Sequence, residues 1–116
     1  MKSQRAAEAL SCDRMALSTD DREQHFTRAQ TLFGHPAVRV DSLPDGLSIE
    51  LPGERFAELC EFVERERKCC PFLAFAMTIP GGGAPITLQM TGPAGTRELL
   101  QSELHAVEKS GCGCAS

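Results

Sequence analysis

Two thiols stand side by side at Cys69 and Cys70, with Pro71 directly after them. The chain closes on a second pair in the run Gly111-Cys112-Gly113-Cys114. Adjacent thiols can share a soft ion such as Hg(II), As(III) or Cu(I), for which thiolates are preferred and few ligands suffice. Zinc fits less well, because its tetrahedral sites usually space their cysteines by two or more residues and add a second pair. A disulfide between adjacent residues closes a strained ring, so a resting Cys69–Cys70 bridge is not expected. The same sulfurs could serve redox chemistry, or one could simply pack as a small apolar side chain. The nearby Arg65, Arg67 and Lys68 favour a thiolate, whereas the negative end of a helix dipole opposes it.

The remaining cysteines divide by context. Cys112 and Cys114 lie between glycines near the end of the chain, where burial is a weak explanation for them. They read as an arm that could capture an ion and pass it to Cys69 and Cys70, or as incidental thiols in a disordered end. Cys12 could be a third ligand if the N-terminal segment pairs near Cys69, and a third thiolate would matter for As(III), which prefers trigonal sulfur. Cys60 falls on an apolar helical stripe and reads as core. His25, His35 and His105 are scattered without ligand spacing and read as surface residues, so no Cys/His dyad can be argued. No paired carboxylates stand out. Thr91–Thr96 links a strand to a helix but lacks the nucleotide-loop residues, and a helix start with Pro in its first turn explains it more simply.

The elements that must position these residues are legible from periodicity. Residues 1–9 read as frayed, and 10–17 as a short edge strand or extended arm. Asp20 with Glu23 predicts a capping box opening a helix whose face carries Phe26, Ala29 and Phe33 and which stops at Gly34. Val38 and Val40, then Leu47, Ile49 and Leu51, alternate with polar residues around Pro44-Asp45-Gly46, which predicts a hairpin. A second helix is expected over about 54–68, with Phe56, Leu59, Cys60 and Val63 as its buried stripe and Glu61–Arg65 and Glu64–Lys68 as i,i+4 pairs outside. Pro71 disfavours helical geometry at Cys70 and ends it. A second hairpin follows, with Leu73, Phe75, Met77 and Ile79 on one face, a turn at Gly81-Gly82-Gly83, and Ile86, Leu88 and Met90 returning. A last helix over about 94–109 buries Leu100, Leu104 and Val107 and is capped by Gly111. The predicted class is α+β: an antiparallel four- or five-stranded sheet with helices packed on one face, in the order (β)αββαββα. Residues 1–110 form a single domain, followed by a flexible tail over 111–116.

Composition sets outer bounds. Six cysteines in 116 residues is a large thiol load, while 41% hydrophobic and 24% charged residues are ordinary for a globular domain. A net charge of −4 leaves no basic footprint for nucleic acid or for a membrane surface. No apolar run approaches a membrane span, and residues 1–10 lack the apolar centre of a secretory signal. The expected location is therefore the cytoplasm, where clustered cysteines more often mean metal or redox work than structural bridges.

The run Glu64-Arg65-Glu66-Arg67-Lys68-Cys69-Cys70-Pro71-Phe72-Leu73-Ala74-Phe75, with Leu88-Gln89-Met90-Thr91-Gly92-Pro93-Ala94-Gly95 later, resembles a family of small uncharacterised bacterial proteins. Their pattern is E-x-x-C-C-P-F-hydrophobic-x-F before a hairpin ending L-x-hydrophobic-T-G-P-x-G. The resemblance spans about residues 10–105 and implies an association with metal-responsive regulators and resistance genes, but no established activity. The Gly-Cys-Gly-Cys end is extra to it. By analogy alone, mercuric reductases present a vicinal cysteine pair on a mobile tail.

The leading expectation is a cytoplasmic soft-metal scavenger or metallochaperone rather than an enzyme. Its ligands would be Cys69, Cys70, Cys112, Cys114 and Cys12, with no organic cofactor. Its partners would be the metal ion and a metal-handling protein, with neither nucleic acid nor membrane. The alternatives are a thiol redox enzyme or sensor, in which a tail cysteine resolves Cys69 or Cys70, and a small regulatory or interaction module.

Overall fold

The computed structural model describes residues 17–35 and 37–113, with side chains through His105. The first helix, α1, is Thr19–Phe33. Its cap is Ser18, whose hydroxyl accepts the Asp21 amide at 3.1 Å. The expected Asp20–Glu23 box is thus displaced by two residues. Ser caps as well as Asp does, and with Ser18 at the cap Asp20 falls inside the first turn, where its charge complements the dipole. The helix stops at Gly34, as expected, and its amide bonds back to Gln30. Ala29, Leu32 and Phe33 are buried, while Phe26, expected in the core, is 45% exposed.

Strands β1 (Arg39–Leu43) and β2 (Gly46–Leu51) form the first hairpin, paired from Leu43↔Gly46 outward. A 3-10 turn at Gly53–Arg55 leads into α2, Phe56–Cys69. Strands β3 (Ala74–Thr78) and β4 (Ile86–Thr91) form the second hairpin, and α3 runs Thr96–Gly113. The order αββαββα and the single antiparallel sheet match the predicted class, with four strands among the described residues. The segment predicted as an N-terminal strand lies outside the described residues, apart from the buried Leu17. The last helix starts at Thr96 rather than 94 and passes through Gly111 to Gly113, so Gly111 is not its cap. Its start is held by Thr96, whose hydroxyl donates to the Pro93 carbonyl at 2.6 Å.

The sheet order is β1-β2-β4-β3. Its register sets Leu47 opposite Met90, Ile49 opposite Leu88 and Leu51 opposite Ile86, so alternation in both central strands delivers one apolar face. All six are buried, each worth roughly 1.5–3 kcal/mol relative to exposure. Among the described residues β1 and β3 are the edges. Val40, Met77 and Ile79 are accordingly exposed, although their alternation resembles that of the central strands. Gly46 must be glycine, because a Cβ there would collide with the Met90 carbonyl across the β2–β4 pair. The helices cover the apolar face: α1 packs on α2 and α3, and α3 on β2. No helix among the described residues is long and apolar enough to cross a membrane.

Candidate metal centre

The second helix turns a different side to the core than its apolar spacing predicts. Leu59, Phe62, Glu66 and Cys69 are its buried residues, whereas Phe56 is 39% exposed and Cys60 and Val63 are half-buried. Leu59, Phe62, Glu66 and Cys69 follow i, i+3, i+7 and i+10, a stripe as regular as the expected one. The stripe was hidden by Glu66, a charged residue at a buried position. Outside, Arg65 pairs with Glu64 and reaches the Glu61 carbonyl, while Glu61 pairs with Arg28 of α1 at 2.7 Å. The two expected i,i+4 pairs therefore do not form.

Glu66 is only 7% exposed, and burial of a carboxylate demands partners. It has two on one oxygen. His25 Nε2, one helix away, lies 2.8 Å from Glu66 Oε1, and the Cys69 thiol donates to the same oxygen at 3.5 Å. The His25 ring is fixed by stacking on Phe62, centroids 5.0 Å apart and planes 14° from parallel. Its Nδ1 is buried with no hydrogen-bond partner among the described residues. His25 is thus not the surface residue that its position on a polar helix suggested.

The helix ends as Pro71 requires. Cys70 leaves helical geometry at φ −124° and ψ 75°, while its amide still bonds the Glu66 carbonyl at 2.8 Å. This bend lets two consecutive side chains both turn inward. Cys69 and Cys70 are 7% and 1% exposed, with their sulfurs 3.7 Å apart. Cys69 is a thiol, as is the half-buried Cys60, but Cys70 is disulfide-bonded. Its partner lies outside the described side chains. Of the basic residues expected to favour a thiolate, Arg67 and Lys68 are exposed and Arg65 is engaged with glutamates.

Two sets of potential ligand atoms gather here, each within 4.8 Å of one another: His25, Glu66 and Cys69, and Glu66, Cys70 and Glu103. Glu103 comes from α3, so α1, α2 and α3 all contribute. The Cys70 sulfur can donate to a metal only once its disulfide is reduced. The cluster stands on the wall of a cleft of about 210 Å³ between helices and sheet, otherwise lined chiefly by apolar side chains.

Of the residues expected to bind metal, the structure brings Cys69 and Cys70 together. Cys112 lies in the backbone of α3 without a described side chain, and Cys12 and Cys114 lie outside the described residues. His25, Glu66 and Glu103 escaped the sequence reading. Glu66 had one signal: it stands one helical turn before Cys69 and is the glutamate of E-x-x-C-C. His25 and Glu103 had none, since only tertiary packing joins them to the pair. No family model, curated protein or solved structure matches this chain.

Proposed function

We propose that the protein binds a thiophilic ion, of the class Hg(II), As(III) or Cu(I), through Cys69 and Cys70, as a cytoplasmic scavenger or metallochaperone. The observation that carries this reading is the pair of inward-turned sulfurs at 3.7 Å, with a buried carboxylate placed to take the Cys69 proton. A thiol must lose that proton to become a ligand, and Glu66 is its hydrogen-bond acceptor. His25 in turn holds Glu66 and spreads the charge. The low polarity of the cleft favours compact neutral metal–thiolate adducts over free charge.

The test is native mass spectrometry of the reduced protein with Hg(II), As(III), Cu(I) and Zn(II) against excess glutathione. A one-to-one adduct with a soft ion, absent from Cys69→Ser/Cys70→Ser, supports the proposal. No soft ion retained, or zinc alone retained, refutes it.

One observation favours a second reading, thiol redox chemistry: Cys70 is already in a disulfide, with the Cys69 thiol beside it. A peroxide would take two electrons from two protein thiols, yielding that disulfide and two waters. Catalytic peroxide consumption with a thiol reductant would support this reading, and stoichiometric oxidation alone would argue against it.

A further inference from the structure

We infer that, while Cys70 is held in its disulfide, His25, Glu66 and Cys69 form a site for a divalent ion of the Zn(II) class. This site belongs to the oxidised protein, and it does not rest on the soft-ion reading, which needs Cys70 reduced. Its donors are already gathered. His25 Nε2 lies 2.8 Å and Cys69 Sγ 3.5 Å from the same oxygen, Glu66 Oε1, and ligand atoms of all three fall within 4.8 Å of one another. Around an ion with bonds of about 2.0–2.3 Å, tetrahedral neighbours stand about 3.4–3.6 Å apart, so its entry asks for shifts of about 1 Å or less.

The kind of donor selects the kind of ion. Imidazole nitrogen, carboxylate oxygen and thiolate sulfur are the three ligand types of zinc sites. One sulfur in three donors is too few for Hg(II) or Cu(I), which thiolates select. A sulfur and a nitrogen are wrong for Mg(II) or Ca(II), which take oxygen.

Charge then fixes the valence. One thiolate and one carboxylate neutralise a divalent ion, and neutral imidazole adds nothing, so the filled site buries no net charge. A monovalent ion would leave one negative charge uncompensated, and a trivalent ion one positive charge. Arg22 and Glu103, on the same wall of the cleft, carry opposite charges and do not alter this count.

The scaffold holds the donors in place. Glu66 and Cys69 stand three residues apart on one face of α2, and stacking on Phe62 fixes the His25 ring from α1. All three line the cleft of about 210 Å³, which gives the ion an entry path and leaves its fourth position to water. Binding balances with no redox step: the ion enters, and the Cys69 thiol releases one proton to solvent. His25 Nε2 presents its lone pair, with the imidazole proton on Nδ1.

Titration of the oxidised full-length protein with Co(II) as spectroscopic probe, followed by displacement with Zn(II), tests the inference; thiol counting verifies the disulfide. One Co(II) should bind, with thiolate-to-cobalt charge transfer and the intense visible bands of a tetrahedral centre. One Zn(II) should abolish both. Cys69→Ser should remove the charge-transfer band, and His25→Gln should weaken binding at least about tenfold, about 1.4 kcal/mol. Cys60→Ser, at a thiol outside the cluster, should change neither, and circular dichroism confirms that each variant is folded. A parent protein without the charge-transfer band, a band that persists in Cys69→Ser, or one that appears only after reduction would each overturn the inference. None of these outcomes touches the soft-ion reading, which is tested on the reduced protein.

Discussion

Glu66 is the residue on which the site turns. Replacing it with Gln keeps the shape but removes the proton acceptor of Cys69, and metal affinity should fall about 10–100-fold, the usual cost of losing an outer-shell partner. Isothermal titration with the ion retained in the glutathione competition measures this. Glu66→Ala goes further, because it strands the half-buried His25 and the Cys69 thiol. A loss of about 1–3 kcal/mol in urea unfolding is expected, the cost of a buried polar group without a partner. Adding His25→Ala to Glu66→Ala should cost less than the sum of the two single losses, since each single change already breaks the shared bond. The motif glutamate at the third position before Cys69 is visible in the sequence, but its burial is not. A charged residue in a run of Glu, Arg and Lys reads as solvent-facing until a partner from another helix is known.

At the level of elements, the central strands carry the stability and the caps tune it. Leu88→Ala, at a fully buried position of β4, should cost about 2–5 kcal/mol by urea unfolding, whereas Met77→Ala on the edge strand should cost far less. Both positions alternate alike in the sequence, so this difference is set wholly by strand order. In the first turn of α3, the Glu98 carboxyl is held below its ordinary value, first by a backbone hydrogen bond and then by Arg97. A depressed folded value stabilises the protein above the ordinary carboxylate range, and the gain is lost as pH falls through the lowered value. Glu98→Gln should therefore lower the urea midpoint only slightly at neutral pH, since the group is exposed, and converge with the parent protein in acid. Hairpin turns, helix stops at Gly34 and Pro71, and the apolar alternation of β2 and β4 were all legible, because each rests on local backbone chemistry. The true cap at Ser18 was missed in favour of Asp20 because several strong capping residues stand in a row.

For the whole molecule, the Cys70 disulfide couples oxidation state to both stability and binding. Reduction should expose two further thiols to alkylation and lower unfolding stability by about 2–4 kcal/mol, the usual range for a disulfide. Peptide mapping after differential alkylation will name the partner. The oxidised protein should bind no soft ion through the pair, because one of the two sulfurs is already bonded. Surface ion pairs such as Arg97–Glu98 contribute little, so added salt should leave the unfolding midpoint nearly unchanged.

The amino-acid sequence by itself determined the α+β class, the order of elements, the two hairpins and the place of the cysteine pair at a helix end. These follow from periodicity, turn chemistry and the restriction Pro71 imposes on Cys70, all of which act over a few residues. Only the tertiary structure decided which side of α2 faces inward, that His25 and Glu103 meet Glu66 beside the sulfurs, and that an apolar cleft opens there. Those outcomes depend on how the described helices cross the sheet, and the contacts that make the site join residues on separate elements far apart in the chain.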